Sequence, residues 1–532
     1  MKFHRLYWIL FTLAVFGALV GFFISTVSPF SSFFGAIVKD EIKASDLAAQ
    51  VDFDFPLKSS DQVGIRDLAS PSKAIPGELV VHFDNRKDYL AYLEALTNAD
   101  IAPLGQIDEL LVVRIPESAL LQTNFGQFGA RASYSYPIEC PLPPVEIDSE
   151  ALASLRAYGL SASAITGGLI AGQGGGVIVA ILDSGIQAHP QFDEVYIVPI
   201  DLAGGGVGRS AAHGTSVASI ITGSEGIAPA VELFVVRVLD DEGLGNSYDA
   251  AQGIVQAVDH GVQIINMSLG VYQDTPVLRQ AVKYADDRGV IMVAAAGNDG
   301  YNRMPYPAAY SEVLAVTAVD ANRQHALFPN QSEEIDFAAP GVGILTAKEE
   351  EGTTLFSGTS AAAPFVSGTL ASLMSGAAAL PPKQAVEILK RYLNDQGAPS
   401  ADPVYGAGLV DWDRLRERAT PNLLDVALAD IYLQPDAQPG TTMPIEVTVQ
   451  NRGTNWFSDA QLEVFIGEAE PVSFVLGSLG PGQTTTRKVF TQIPTLDSDE
   501  MLIFAARVMP KELEDDVRLN NNMKAVTFRP VK

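Results

Sequence analysis

The chain has 532 residues, 47% of them hydrophobic and 18% charged, with one cysteine and a formal net charge of -28. A chain of this length exceeds one ordinary core and predicts roughly two to four domains. The acidic excess repels nucleic-acid backbone and excludes DNA or RNA binding as a main role, while the lone Cys140 excludes an intramolecular disulfide and any cysteine-based metal site.

Lys2 and Arg5 precede an uncharged run from Leu6 to Thr26, and the next charge is Lys39. The run is longer than the core of a cleaved signal and close to the roughly 20 residues that span a bilayer. Residues 1–40 are therefore predicted to be a signal peptide or N-terminal membrane anchor, with the remainder exported. Residues 41–74 are polar and read as a linker. Residues 75–140 carry an alternating strand at Glu78 to Phe83, a helix with Tyr89, Tyr92, Leu93 and Leu96 on one face, and a second strand at Leu110 to Ile115, which predicts a small α+β domain. Pro137, Pro141, Pro143 and Pro144 then interrupt the chain around Cys140 and predict an exposed, extended stretch open to proteolytic cutting.

Between residues 150 and 415, β-branched runs (Val177 to Leu182, Leu233 to Val238, Ile264 to Met267, Val290 to Ala296, Val313 to Ala318) alternate with helical patterns (Tyr248 to Asp259, Val277 to Asp287, Ser360 to Met374, Lys383 to Leu393). This is the signature of an α/β fold, a parallel sheet with helices on both faces. Ligands of such sheets bind beyond the carboxyl ends of the strands, which puts Asp183, Gly270 and Gly297-Asn298 on one rim. After Pro421, short alternating strands separated by turns such as Asn451-Arg452-Gly453 predict an all-β, immunoglobulin-like sandwich over residues 424–532.

Ser360 stands among small residues in Gly358-Thr359-Ser360-Ala361-Ala362-Ala363-Pro364, at the head of an Ala-rich helical run. Free N–H groups at a helix start can receive developing negative charge, and Pro364 is read as lying in the first turn, where its missing N–H is not needed. His213 opens a helix in His213-Gly214-Thr215-Ser216, and Asp183 ends an apolar strand in Ile181-Leu182-Asp183-Ser184-Gly185. A serine hydroxyl needs an imidazole to take its proton, and the imidazole needs a buried carboxylate to fix its tautomer and balance its charge.

These motifs, in the order Asp, His, Ser and with Asn298 in Ala294-Ala295-Ala296-Gly297-Asn298 between His and Ser, resemble the subtilisin-like serine proteases, the subtilases. Glu225-Gly226-Ile227-Ala228-Pro229, Asn266-Met267-Ser268-Leu269-Gly270 and Ala338-Ala339-Pro340-Gly341 add to the resemblance, which covers residues 150–415. It implies Ser360 as nucleophile, His213 as general base, Asp183 as orienting acid and Asn298 as the side-chain donor to the oxyanion. It also implies that Ser268, Leu269 and Gly270, with Ala294, Ala295, Ala296 and Gly297, wall the cleft that takes substrate as an added strand. The small residues at Ala294 to Gly297 imply an open pocket suited to apolar or bulky P1 side chains.

By the same resemblance, the α+β domain is an inhibitory propeptide, an intramolecular partner of the cleft, and the C-terminal sandwich resembles bacterial cell-adhesion-related domains. Two positions depart from the family pattern. Ser216 stands where a second histidine is common, and Ile220 to Gly226 is too short for the loop that carries calcium in many relatives. Asp193 is a candidate ion ligand without a complete cage, so no metal or other cofactor is assigned and calcium is left open. His4, His82, His189, His260 and His325 show no metal-ligand spacing, and Cys140, with no histidine in its motif, is read as a bystander. The expected protein is an exported serine endopeptidase, made as a self-processed precursor and acting on protein or peptide substrates, with a membrane contact if residues 1–40 are retained. The rivals are a cleft that holds peptides without cutting them, and a surface-assembly protein in which the sandwich is the main function.

Overall fold

The computed structural model describes residues 73–123, 125–141, 155–167, 173–204, 211–348, 351–434, 440–467, 469–492, 501–511 and 516–528. The predicted hydrophobic segment Leu6 to Thr26 lies outside them, and among the described residues no helix is long and apolar enough to cross a membrane.

The chain begins with an antiparallel sheet in the order β2-β3-β1-β4, built from β1 (Glu78–His82), β2 (Gly105–Ile107), β3 (Val112–Pro116) and β4 (Arg131–Ser133). Helix α1 (Arg86–Asn98) starts at Asn85, whose side chain caps Asp88 N, and buries Tyr89, Tyr92 and Leu96 with Leu79 and Val81 of β1. Alternation does this work, because residues two apart on β1 share a face. Val80, between them, faces the other way into a core shared with the next domain.

Next comes the short strand β5 (Pro137–Glu139), then β6 (Ile178–Asp183), β7 (Ile197–Asp201), helix α2 (Ala212–Ile221), β8 (Glu232–Arg237), β9 (Leu244–Asn246), α3 (Ser247–His260), β10 (Ile264–Met267), α4 (Pro276–Asp286), β11 (Ile291–Ala295), β12 (Val313–Val319) and β13 (Phe337–Pro340). Seven of these strands form one sheet in the order β13-β12-β11-β10-β6-β8-β7, and every neighbouring pair is parallel. Strand β6 shows why both faces are covered. Val179 and Ile181 enter one core, Ala180 and Leu182 the other.

The first core is closed by α2, by α5 (Thr359–Leu373) and by α6 (Pro382–Arg391). The second is closed by α3 and α4. The α/β architecture thus follows the expected pattern, with two strands the sequence pattern did not single out. Strand β7 is a half-exposed edge containing Pro199, and β13 has no β-branched residue. The hairpin of β14 (Ile344–Lys348) and β15 (Gly352–Phe356) precedes α5.

The order in which strands are added reverses at β6, whose neighbours in the sheet are β8 and β10. Met267 pairs with Leu182 on one side and Ala294 on the other. The ends of β6, β10 and β11 are therefore level, and the loops that follow them share a rim, the usual place for a site on such sheets.

The remaining strands make two antiparallel sheets around one apolar core. Strands β16 (Val426–Leu433), β17 (Thr442–Asn451) and β20 (Thr484–Gln492) form one; β18 (Ala460–Ile466), β19 (Val472–Leu476), β21 (Leu502–Pro510) and β22 (Met523–Phe528) form the other. Asn451 shapes the turn after β17, donating to Asn455 O and Leu479 O at 2.8 Å each.

Candidate active site

Asp183, at the carboxyl end of β6, is fully buried. Its Oδ1 accepts from Ser184 N at 2.7 Å, and its two oxygens lie 2.9 and 3.0 Å from His213 Nδ1. The pairing places the Nδ1 proton toward the carboxylate and leaves Nε2 as the atom facing the cleft. The helix carrying His213 comes this close only because Gly214 follows it: a Cβ there would sit 2.1 Å from Gly185 O. Ser216, the departure from the family pattern, is buried and accepts from Thr346 Oγ1 at 3.0 Å, tying α2 to β14.

Ser360 is the second residue of α5, a helix buried on almost every side and packed across β10 to β13. Its side chain is buried, and neither Ser360 Oγ nor His213 Nε2 makes a hydrogen bond of standard geometry among the described residues. Asn298 is held by a residue the motif did not single out. Thr359 donates to Asn298 Oδ1 through both its N–H and its hydroxyl, each at 2.9 Å, and its Oγ1 accepts from Gly297 N at 3.1 Å. With Oδ1 so occupied, the amide nitrogen is turned toward Gly358. A Cβ on Gly358, whose φ is +133°, would lie 3.0 Å from Asn298 Nδ2 and 3.6 Å from Ser360 N. The missing side chain leaves a space flanked by two N–H donors, the arrangement an oxyanion requires.

Pro364 lies inside α5, in its second turn and not its first as expected. Its missing N–H would have bonded the Ser360 carbonyl. That carbonyl instead accepts from Ser268 Oγ at 3.2 Å, and Ser268 is held in turn by Asn266.

Of the Pro-rich stretch expected to be exposed, Pro143 and Pro144 lie outside the described residues, and residues 137–141 are extended and run as a strap along the rim of this site. Strand β5 pairs antiparallel with β9, Ile138 opposite Gly245. Glu139 exchanges both backbone bonds with Gly270, at 3.1 and 2.9 Å, and Cys140 N donates to Gly243 O at 3.1 Å. Side chains alternate along the strand. Ile138 is wholly buried in the core that holds Leu269 and Tyr248, while Glu139 and Pro141 line a cavity of about 480 Å³ with Gly270 and Gly297.

Cys140, read as a bystander, has its thiol beside the His213 ring. Burial opposes charge on His213, but the Asp183 carboxylate and then the Cys140 thiol outweigh it and hold the imidazole well above its ordinary pKa. Burial pushes the Cys140 thiol up. Phe356 closes the other side, its ring 5.3 Å from that of His213.

Of the other predicted wall residues, Ser268 and Leu269 are buried at the end of β10, and Ala294, Ala295 and Ala296 are buried in and beside β11. Only Gly270 and Gly297 of the predicted walls line the cavity. Asp193 is exposed at the end of a short 3₁₀ turn, and no group of three or more His, Cys, Asp or Glu side chains is gathered for a metal among the described residues. His82 is buried and His325 half-buried in packing, and His260 stacks on Phe234.

A model of the subtilase family matches residues 174–408. The chain is 38% identical over 251 residues to the thermostable alkaline protease of Halalkalibacterium halodurans, a match that takes in 44% of this chain and 66% of that one, just under two thirds of its length. It is 30% identical over 363 residues to the M-protease of Shouchella clausii, covering 65% of this chain and 92% of that one. Among solved structures, fervidolysin from Fervidobacterium pennivorans, described as a keratinolytic enzyme related to subtilisin, aligns with a TM-score of 0.54 and 18% identity over 86% of this chain and 91% of that one, a likeness of fold. The parallel sheet, the level strand ends and these relatives lead to one conclusion: the chain belongs to the subtilase family, the subtilisin-like serine endopeptidases.

Proposed function

We propose that the protein is an exported endopeptidase that cuts peptide bonds through an acyl-enzyme on Ser360. His213 Nε2 takes the hydroxyl proton as Oγ attacks the carbonyl and returns it to the leaving amine; Asp183 holds the ring and balances its charge. The oxyanion forms in the space before Gly358, between Asn298 Nδ2 and Ser360 N. The observations that support this reading are the Asp183–His213 pair at the end of β6 and, separately, the two donors beside Gly358 at the start of α5.

The protein is made as a precursor in this reading, and residues 75–140 are its inhibitor. Support comes from strand β5, which pairs with β9 and exchanges backbone bonds with Gly270 along the cleft rim. Export is supported by the basic residues and apolar run at the N-terminus. Replacing Ser360→Ala is expected to abolish peptide hydrolysis, self-processing and labelling by a fluorophosphonate. Residual cleavage by that variant would overturn the assignment.

A further inference from the structure

At one end of the C-terminal sandwich an indole lies open to solvent on a base that holds it flat. Trp456 follows the turn after β17 and is 62% exposed, while the next residue, Phe457, is buried in the sandwich core. The backbone around the ring is fixed. Phe457 and Leu479 exchange backbone bonds at 3.2 and 3.1 Å, Trp456 N donates to Asn455 Oδ1 at 2.9 Å, and Asn451 Nδ2 holds both Asn455 O and Leu479 O. Against the ring lies Gly480, which is buried. A Cβ there would sit 2.9 Å from Trp456 Cζ2 and 3.1 Å from each of Cε2 and Cη2. Three consecutive ring atoms at nearly one distance place Gly480 on the face of the indole, because an approach from the edge would leave the flanking atoms much farther off than the nearest one. One face is therefore covered, and the exposure belongs to the other.

The groups beside the ring match one chemistry. Asn422, Asn455, Ser458, Asp459, Ser478 and Lys511 line a cavity of about 450 Å³ with Trp456, a size within the roughly 300–1,000 Å³ of ligand sites. They supply amides, hydroxyls, one carboxylate and one ammonium, so the formal charges of the lining cancel in a chain that carries -28 overall. Amides and hydroxyls each donate and accept, which is what sugar hydroxyls ask of a partner. A pyranose also has an apolar C–H face that can lie on an indole, and a ring already fixed in place loses little freedom on binding. We propose that this end of the sandwich binds a neutral polysaccharide, with one sugar ring stacked on the open face of Trp456. The acidic surface of the chain disfavours an anionic polymer. A peptide added to a sheet would pair along an edge strand, whereas this cavity lies across strand ends, among the segments that follow β17, β19 and β21. It shares no lining residue with the cavity beside Gly270 and Gly297, so polysaccharide binding and peptide cutting can fail separately.

The test uses the full-length chain as Ser360→Ala, incubated with microcrystalline cellulose, chitin or starch granules and then washed. Retention on at least one of the three is expected, and it should survive about 1 M sodium chloride, which screens attraction between charges. Trp456→Ala should weaken the retention about 10-fold or more, the scale on which a central aromatic anchor contributes. Trp456→Phe keeps an aromatic face and should weaken it less, which covers the case in which the alanine variant folds poorly. No retention on any of the three, retention that salt removes, or equal retention in a folded Trp456→Ala variant overturns the proposal. Retention on gelatin beads alone would assign the face to a protein and overturns it equally.

Discussion

Acidification should loosen the N-terminal α+β unit through His82. This residue ends β1 against α4, almost fully buried, with Nδ1 3.2 Å from Gln280 Oε1 and Nε2 2.8 Å from Ser133 Oγ. The neutral ring satisfies both partners as donor at Nδ1 and acceptor at Nε2. Burial first, and then the nearby Arg131 charge, push its pKa from 6.5 down to about 4 against the pull of Gln280. Because the folded value lies below the unfolded one, the unfolded state binds more protons in between. The stability His82 contributes is whole above pH 6.5 and is lost as pH falls toward 4. At about 1.4 kcal/mol per pH unit, the loss is about 2 kcal/mol at pH 5 and about 3 kcal/mol at pH 4. Burial raises the pKa values of Glu78 and Asp249, which act in the opposite direction, so the comparison must be with His82→Gln. On a Ser360→Ala background, hydrogen exchange of β1 and α1 amides, corrected for intrinsic rate, should accelerate about 30-fold more in wild type than in His82→Gln between pH 7.5 and pH 5. Equal acceleration in the two proteins would refute the reasoning.

Gly358→Ala should cut kcat by about 100-fold or more, because its methyl would press on Asn298 Nδ2 at 3.0 Å in a backbone conformation that side chains rarely adopt; activity within threefold of wild type would remove Gly358 from the oxyanion site. Ile138→Ala empties a fully buried position of the strap and should weaken its hold by about 2 to 4 kcal/mol, seen as a faster rise in fluorophosphonate-reactive Ser360 in fresh precursor. An unchanged rise would mean that the strap does not limit access. Pro141→Ala restores an N–H opposite the Ser268 carbonyl, and mass spectrometry should then find cleavage after residue 141 at an increased rate; no increase would mean the missing donor is not what protects that bond.

What was legible in the sequence is what local chemistry announces. Asp183 ends an apolar run, His213 and Ser360 open helices among small residues, and the alternating cores of β6 follow from its own pattern. What was not legible depends on approaches between distant segments. Cys140 has no histidine near it in sequence and is beside one in space. Pro364 shows the limit most clearly. Helix rules count an interior proline as a loss of about 3 kcal/mol, a cost that a place in the first turn spares. In the second turn the loss is real, and burial of α5 across four strands offsets it. The same missing N–H releases the Ser360 carbonyl to Ser268, so the defect in the helix is what ties the Ser360 backbone to the end of β10, one residue before Leu269 and two before the Gly270 that pairs with Glu139.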